Sequence, residues 1–102
     1  MLLSHMVYFT LRDSSAEACQ NLVDACHRYL KPHDGVTFFA AGTLAPGYER
    51  PVNDRAFHVA LNTVFESREA HDAYQVSPNH LKFIEENKGN WESVRVFDAE
   101  VA

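Results

Sequence analysis

Four stretches of this chain read as strands, the first two apolar on both faces, with helical spacing in the stretches after the first and third. His5 to Leu11 reads as a first strand, with His5, Val7, Phe9 and Leu11 on one side and Met6, Tyr8 and Thr10 on the other. Ser14, with Glu17 three residues on, predicts a capping box and a helix start. Cys19, Leu22, Cys26 and Tyr29 then recur at helical spacing, leaving Asp24, His27 and Arg28 on the wet side. Pro32 and Gly35 end that helix. Val36 to Leu44 predicts a second strand, with Val36, Phe38 and Ala40 opposed to Phe39 and Ala41.

From Ala45 to Arg55 the composition turns to Pro, Gly and charge, which predicts a mobile loop. Ala56 to Phe65 predicts a third strand. Ser67 caps a helix whose inner face carries Ala70, Ala73 and Tyr74, with His71, Asp72 and Gln75 outside. Ser77 caps another, with Pro78 at its first position, where the missing N–H costs nothing. Leu81, Phe83 and Ile84 give that helix its apolar contacts, and Gly89 stops it. Val94 to Asp98 closes as a fourth strand, followed by a frayed end. No repeat or linker divides residues 1–102, so the chain is read as one domain.

The order βαβ then βααβ predicts an α+β, ferredoxin-like fold. Right-handed crossovers put the helices on one face of a four-stranded antiparallel sheet. The other face would leave Met6, Tyr8, Phe39 and Ala41 in water, and an apolar patch of that kind marks an interface. A second copy is the simplest cover, giving a homodimer through the open sheet face with a barrel-like core.

Composition removes some partners. Nine basic against fourteen acidic side chains give a net charge of −5, with no basic stripe for phosphates. Nucleic acid and anionic membrane are therefore poor partners. The opening MLLSHMVYF lacks a basic leader and a long apolar run, and reads as a strand rather than a signal peptide. No run reaches transmembrane length. Cys19 and Cys26 share a helix face but lie two turns, roughly 10 Å, apart, too far for a disulfide. Two free buried thiols fit a cytoplasmic setting.

Taken together, HMVYF with His5, VTFFAAG ending in Gly42, VFES leading into a helix, YQVSPNHLKF and the closing VRVFD with Asp98 resemble the stress-responsive dimeric α/β-barrel (Dabb) family. The resemblance runs from His5 to Asp98. It implies a ferredoxin-like monomer and a homodimer. One plant branch, the olivetolic acid cyclase type, closes a polyketide by aldol condensation, and its working groups carried over by motif are His5, Tyr74 and His80. The chain departs from the family at Ser77, where members commonly have His before the Pro.

The residues support a small-molecule pocket of that kind. His80 lies in the first turn of a helix, where the positive end of the macrodipole favours a neutral imidazole able to act as a general base. Tyr74 can orient it or donate to an enolate oxygen. His5 would complete the polar end of a cavity lined by Val7, Phe9, Phe38, Leu81 and Phe83. Two functions follow: a binding module for a small apolar or aromatic molecule, or a cofactor-free cyclase or isomerase with His80 as base. A cofactor-free monooxygenase on the same dimeric barrel is a more distant option. No metal or cofactor is expected. His5, His58 and His80 could converge on a metal only through the fold, and His27, His33 and His71 read as surface residues.

Overall fold

The computed structural model describes all 102 residues. Strand β1 spans Leu2–Leu11, helix α1 Ala16–Tyr29, β2 Val36–Thr43, β3 Val59–Phe65, α2 Arg68–Gln75, α3 Pro78–Asn87 and β4 Trp91–Val101. A single 3-10 turn, Lys88–Asn90, joins α3 to β4 and holds the Gly89 predicted as a stop. The sheet order is β2-β3-β1-β4, antiparallel throughout, with the helices on one face. This is the ferredoxin-like arrangement.

Strict alternation in β1 buries Leu3, His5, Val7, Phe9 and Leu11, and in β3 it buries Val59, Leu61, Thr63 and Phe65. Helix α1 closes over them with Cys19, Leu22, Val23, Ala25 and Cys26, while Leu30, Tyr74 and Phe83 fill the remaining space. Each large side chain fully buried here contributes roughly 1.5–3 kcal/mol. Both cysteines are free and buried, as their spacing requires.

Several boundaries differ from the sequence reading. β1 starts at Leu2 and β4 extends to Val101, because Leu2 pairs with Val101 across the two strands. The end expected to fray is a paired strand. β3 begins at Val59 rather than Ala56. Helix α1 is capped by Ser15, not Ser14. The Ser15 hydroxyl accepts from Ala18 N, and Asp13 accepts from Ser15 N, the role assigned to Glu17 in a capping box.

β2 carries the largest correction. Val36 pairs with Phe65 and Phe38 with Val64, so Thr37 is an extra residue, a bulge whose hydroxyl donates to the Val64 carbonyl. Alternation restarts after it. Phe39 and Ala41 therefore pack with Val36 against the core, and Phe38 turns to the open face, 54% exposed. The reading of Phe38 inside and Phe39 outside is inverted by that one residue.

The helices do not cover the sheet evenly. α1 packs across β2 and β3, α2 across β1 and β3, and α3 against α1. The inner face of edge strand β4 stays open, leaving Val94 and Val96 partly in water. That gap positions the site.

Candidate functional site

Between the helices and the β1–β4 side of the sheet lies a cavity of about 410 Å³. Val7 and Phe9 of β1, Leu30 just after α1, Leu61 of β3, Phe83 and Ile84 of α3, and Trp91, Val94 and Val96 of β4 make its apolar walls. His5, His71, Tyr74, Gln75, His80 and Asp98 gather at one end. The structure thus brings together the three expected groups, His5, Tyr74 and His80, with the lining residues Val7, Phe9 and Phe83.

Two expected lining residues are elsewhere. Phe38 is on the opposite face of the sheet through the Thr37 bulge. Leu81 is 54% exposed, because the inward stripe of α3 runs His80, Phe83, Ile84, and Leu81 falls off it. The α2 face also needs revision. Ala73 is exposed, whereas His71 and Gln75, assigned to the outside, line the cavity with Tyr74. His71, Tyr74 and Gln75 stand at i, i+3 and i+4, the spacing of one helix face, and that was the signal available.

Tyr74 is 2% exposed, its ring meeting those of His80 at 4.6 Å, Phe65 at 4.9 Å, His33 at 5.0 Å and His5 at 6.0 Å between centroids. Burial, and secondarily the nearby Cys26, pushes its phenol well above the usual range, so it remains a proton donor. His80 sits where Ser77 starts α3: the Ser77 hydroxyl accepts from His80 N and meets His33 Nε2 at 2.6 Å. His33 Nδ1–H donates to the Leu30 carbonyl, so Nε2 accepts from Ser77, and His33 is a structural clasp rather than a surface residue. Burial, then the neighbouring His5, His33 and His71, pulls His80 down to about 4. It is neutral at physiological pH.

His5 is held from two sides. Its carbonyl accepts from the buried Thr63 hydroxyl, and its Nδ1–H donates to Asp98 Oδ1 at 2.5 Å. A carboxylate can only accept here, so the tautomer is fixed with Nε2 free. Burial outweighs Asp98, and the His5 pKa is lowered. The pair arises because His5 and Asp98 are direct partners in the β1–β4 register. Asp98, in the closing VRVFD, takes its role from this pairing. His71 lies against His5, ring centroids 4.7 Å apart. His58 joins none of these: its Nδ1 accepts from Leu11 N at the far end of β1, so the trio His5, His58 and His80 does not converge. His5, His71 and Asp98 do, and are the residues able to hold an ion.

An α+β sandwich of this topology, with a cavity at the edge of one sheet face, defines a ferredoxin-like domain. The family model described as the stress-responsive A/B barrel domain, Dabb, matches residues 3–101, and the chain belongs to that family. No curated protein matches it in sequence. Among solved structures it is similar to a Dabb-family protein of ferredoxin-like fold from Mesorhizobium loti, with a TM-score of 0.80 and 21% identity over 99% of this chain and 97% of that one. It is also similar to a dimeric ferredoxin-like protein of unknown function from Thermobifida fusca (TM-score 0.79, 13% identity, 99% and 92% covered). A hydroxynitrile lyase from Passiflora edulis superposes equally well (TM-score 0.79, 18% identity, 99% and 94% covered). At these identities the likeness is one of fold.

The depressed His80 pKa has a sign that can be tested. Between about pH 6.5 and 4 the unfolded chain binds a proton at His80 that the native state refuses, so stability is full above that window and falls as pH drops through it. Urea unfolding of the protein and of His80→Gln across this range should show the difference in stability moving toward the variant as pH falls. A difference independent of pH would contradict the buried neutral imidazole.

Proposed function

We propose that the chain is a Dabb-type binding module that holds a small apolar or aromatic molecule, polar end first, in the cavity beneath β1 and β4. The observation carrying this is the cavity itself: about 410 Å³, apolar along its walls, with Tyr74, His80 and His5 at one end. Small-molecule sites of roughly 300–1,000 Å³ are built this way, with a few polar groups fixing orientation. Two free buried thiols, Cys19 and Cys26, fit a cytoplasmic setting. A phenol suits the polar end, since it can donate to neutral His80 and accept from Tyr74. 2-Naphthol should bind saturably by its own fluorescence. Val96→Trp, which fills the mouth from a half-exposed position, should weaken binding roughly tenfold or more, about 1.4 kcal/mol. Unaltered affinity in that variant would place the ligand elsewhere.

A second reading, proton transfer at carbon, is favoured by the contact of His80 with Tyr74 at 4.6 Å. Neutral His80 would take a proton α to a carbonyl while the Tyr74 phenol donates to the enolate oxygen and His5 supports it. The low pKa leaves His80 fully available as a base but makes it a weak one. Deuterium exchange at the α-carbon of a small aromatic ketone, followed by NMR, reports this step alone. His80→Ala should slow it by about two orders of magnitude or more. No enhancement by the intact protein, or an equal rate in the variant, removes the catalytic reading and leaves the binding module.

We also assign a homodimer through the open sheet face. The face carries Phe38 and Phe97, each 54% exposed, and a groove of about 400 Å³ lined by Met6, Tyr8, Phe57 and Phe97 beside the Arg95–Asp54 ion pair. Solved relatives described as dimeric support it. Sedimentation at micromolar concentration should give a dimer, and Phe97→Asp a folded monomer. A wild-type monomer refutes the assignment.

A further inference from the structure

The cavity's polar end holds a second cluster beside the Tyr74–His80 pair, and it shares His5 with the pocket. His5 from β1, Asp98 from β4 and His71 from α2 each offer a ligand atom, and all three atoms lie within 4.8 Å of one another. We infer that these side chains form a binding site for a divalent transition-metal ion. Two imidazoles and one carboxylate are a donor set for Zn²⁺, Fe²⁺ or Co²⁺, whereas Mg²⁺ and Ca²⁺ take oxygen ligands.

The geometry needs little adjustment. Metal–ligand bonds of roughly 2.0–2.2 Å place tetrahedral donors roughly 3.4 Å apart. His5 Nδ1 and Asp98 Oδ1, now 2.5 Å apart, separate by less than an ångström when the ion replaces the proton between them. That proton moves to His5 Nε2, so the ligand stays a neutral imidazole and Asp98 a carboxylate. The β1–β4 register holds these two donors opposite each other.

The surroundings of His71 are those of a metal ligand. Its Nδ1 faces Asp72 Oδ1 at 3.2 Å, so a carboxylate fixes the tautomer and leaves Nε2 as the donor. The Gln75 amide nitrogen rests 3.2 Å from that Nε2 and gives way to the ion. The side chains of His5 and His71 are 5% and 12% exposed, but that of Asp98 is 45% exposed, so the ion enters past Asp98. Three protein ligands leave a position open toward the cavity, the pattern of sites that act on a bound molecule rather than brace a fold. The site goes beyond the pocket reading and does not require an organic ligand.

The test is titration of untagged, chelator-treated protein with Co²⁺, followed by its visible ligand-field absorption. Saturation at one equivalent per chain with the intense bands of a four-coordinate ion, displaced by Zn²⁺, is the expected result. His71→Ala should abolish those bands. Asp72→Asn, at an exposed position, should weaken binding by about 10–100-fold. His27→Ala, on the surface, should change nothing. Bands no stronger than those of aqueous Co²⁺, or equal affinity in wild type, His71→Ala and Asp72→Asn, would overturn the site. Loss of 2-naphthol binding in Val96→Trp with Co²⁺ binding intact would separate this site from the pocket reading.

Discussion

The burial of one phenol ring holds the functional corner of this protein together. Tyr74 leaves α2 and touches rings from β1, β3, the turn after α1, its own helix and α3. Four of those five neighbours are imidazoles. A ring this central fixes the angle between α2 and α3, and the same packing dries the groups around it. Low dielectric then keeps Tyr74 protonated and His80 neutral. Architecture and chemistry at this corner have one cause.

The polar groups divide into those with partners in the fold and those facing the cavity. His33 and Ser77 form a closed clasp with Leu30, and His58 is occupied by the backbone of Leu11. His33 thus brings an imidazole to the Ser77–Pro78 junction from another part of the chain. His5 is oriented by Asp98 with one nitrogen left over. Buried polar groups settled in this way rigidify a site, and the leftover valences show where a guest would dock.

Much of the architecture was legible in the sequence. Alternation in His5–Leu11 and the serine caps at Ser67 and Ser77 follow from local sterics and hydrogen bonding, which the chain carries in its own order. His5, Tyr74 and His80 were found as a set through the family motifs. What was missed depends on information that is not local. Asp98 becomes His5's partner only once β1 and β4 pair, and His71 turns inward because no helix covers β4. Leu81 looked like a wall residue because it is large and apolar, but its position around α3 overrides its chemistry. The bulge at Thr37 leaves no mark in composition, since Thr suits a regular strand as well as an irregular one.

That bulge has a consequence for how this chain tolerates change in length. Pairing in a strand has parity: each residue is odd or even, inside or outside. Thr37 adds one to the count, and everything after it in β2 takes its face from that addition. A substitution at the strand alters one contact. Loss of Thr37 itself would keep Val36 opposite Phe65 and Phe38 opposite Val64, every face unchanged, whereas a strand running regularly through Thr37 would exchange Phe38 with Phe39 and Ala40 with Ala41, handing the core's side chains to the open face and the reverse. The division between inner packing and outer surface along this edge is thus written in arithmetic, not in hydrophobicity.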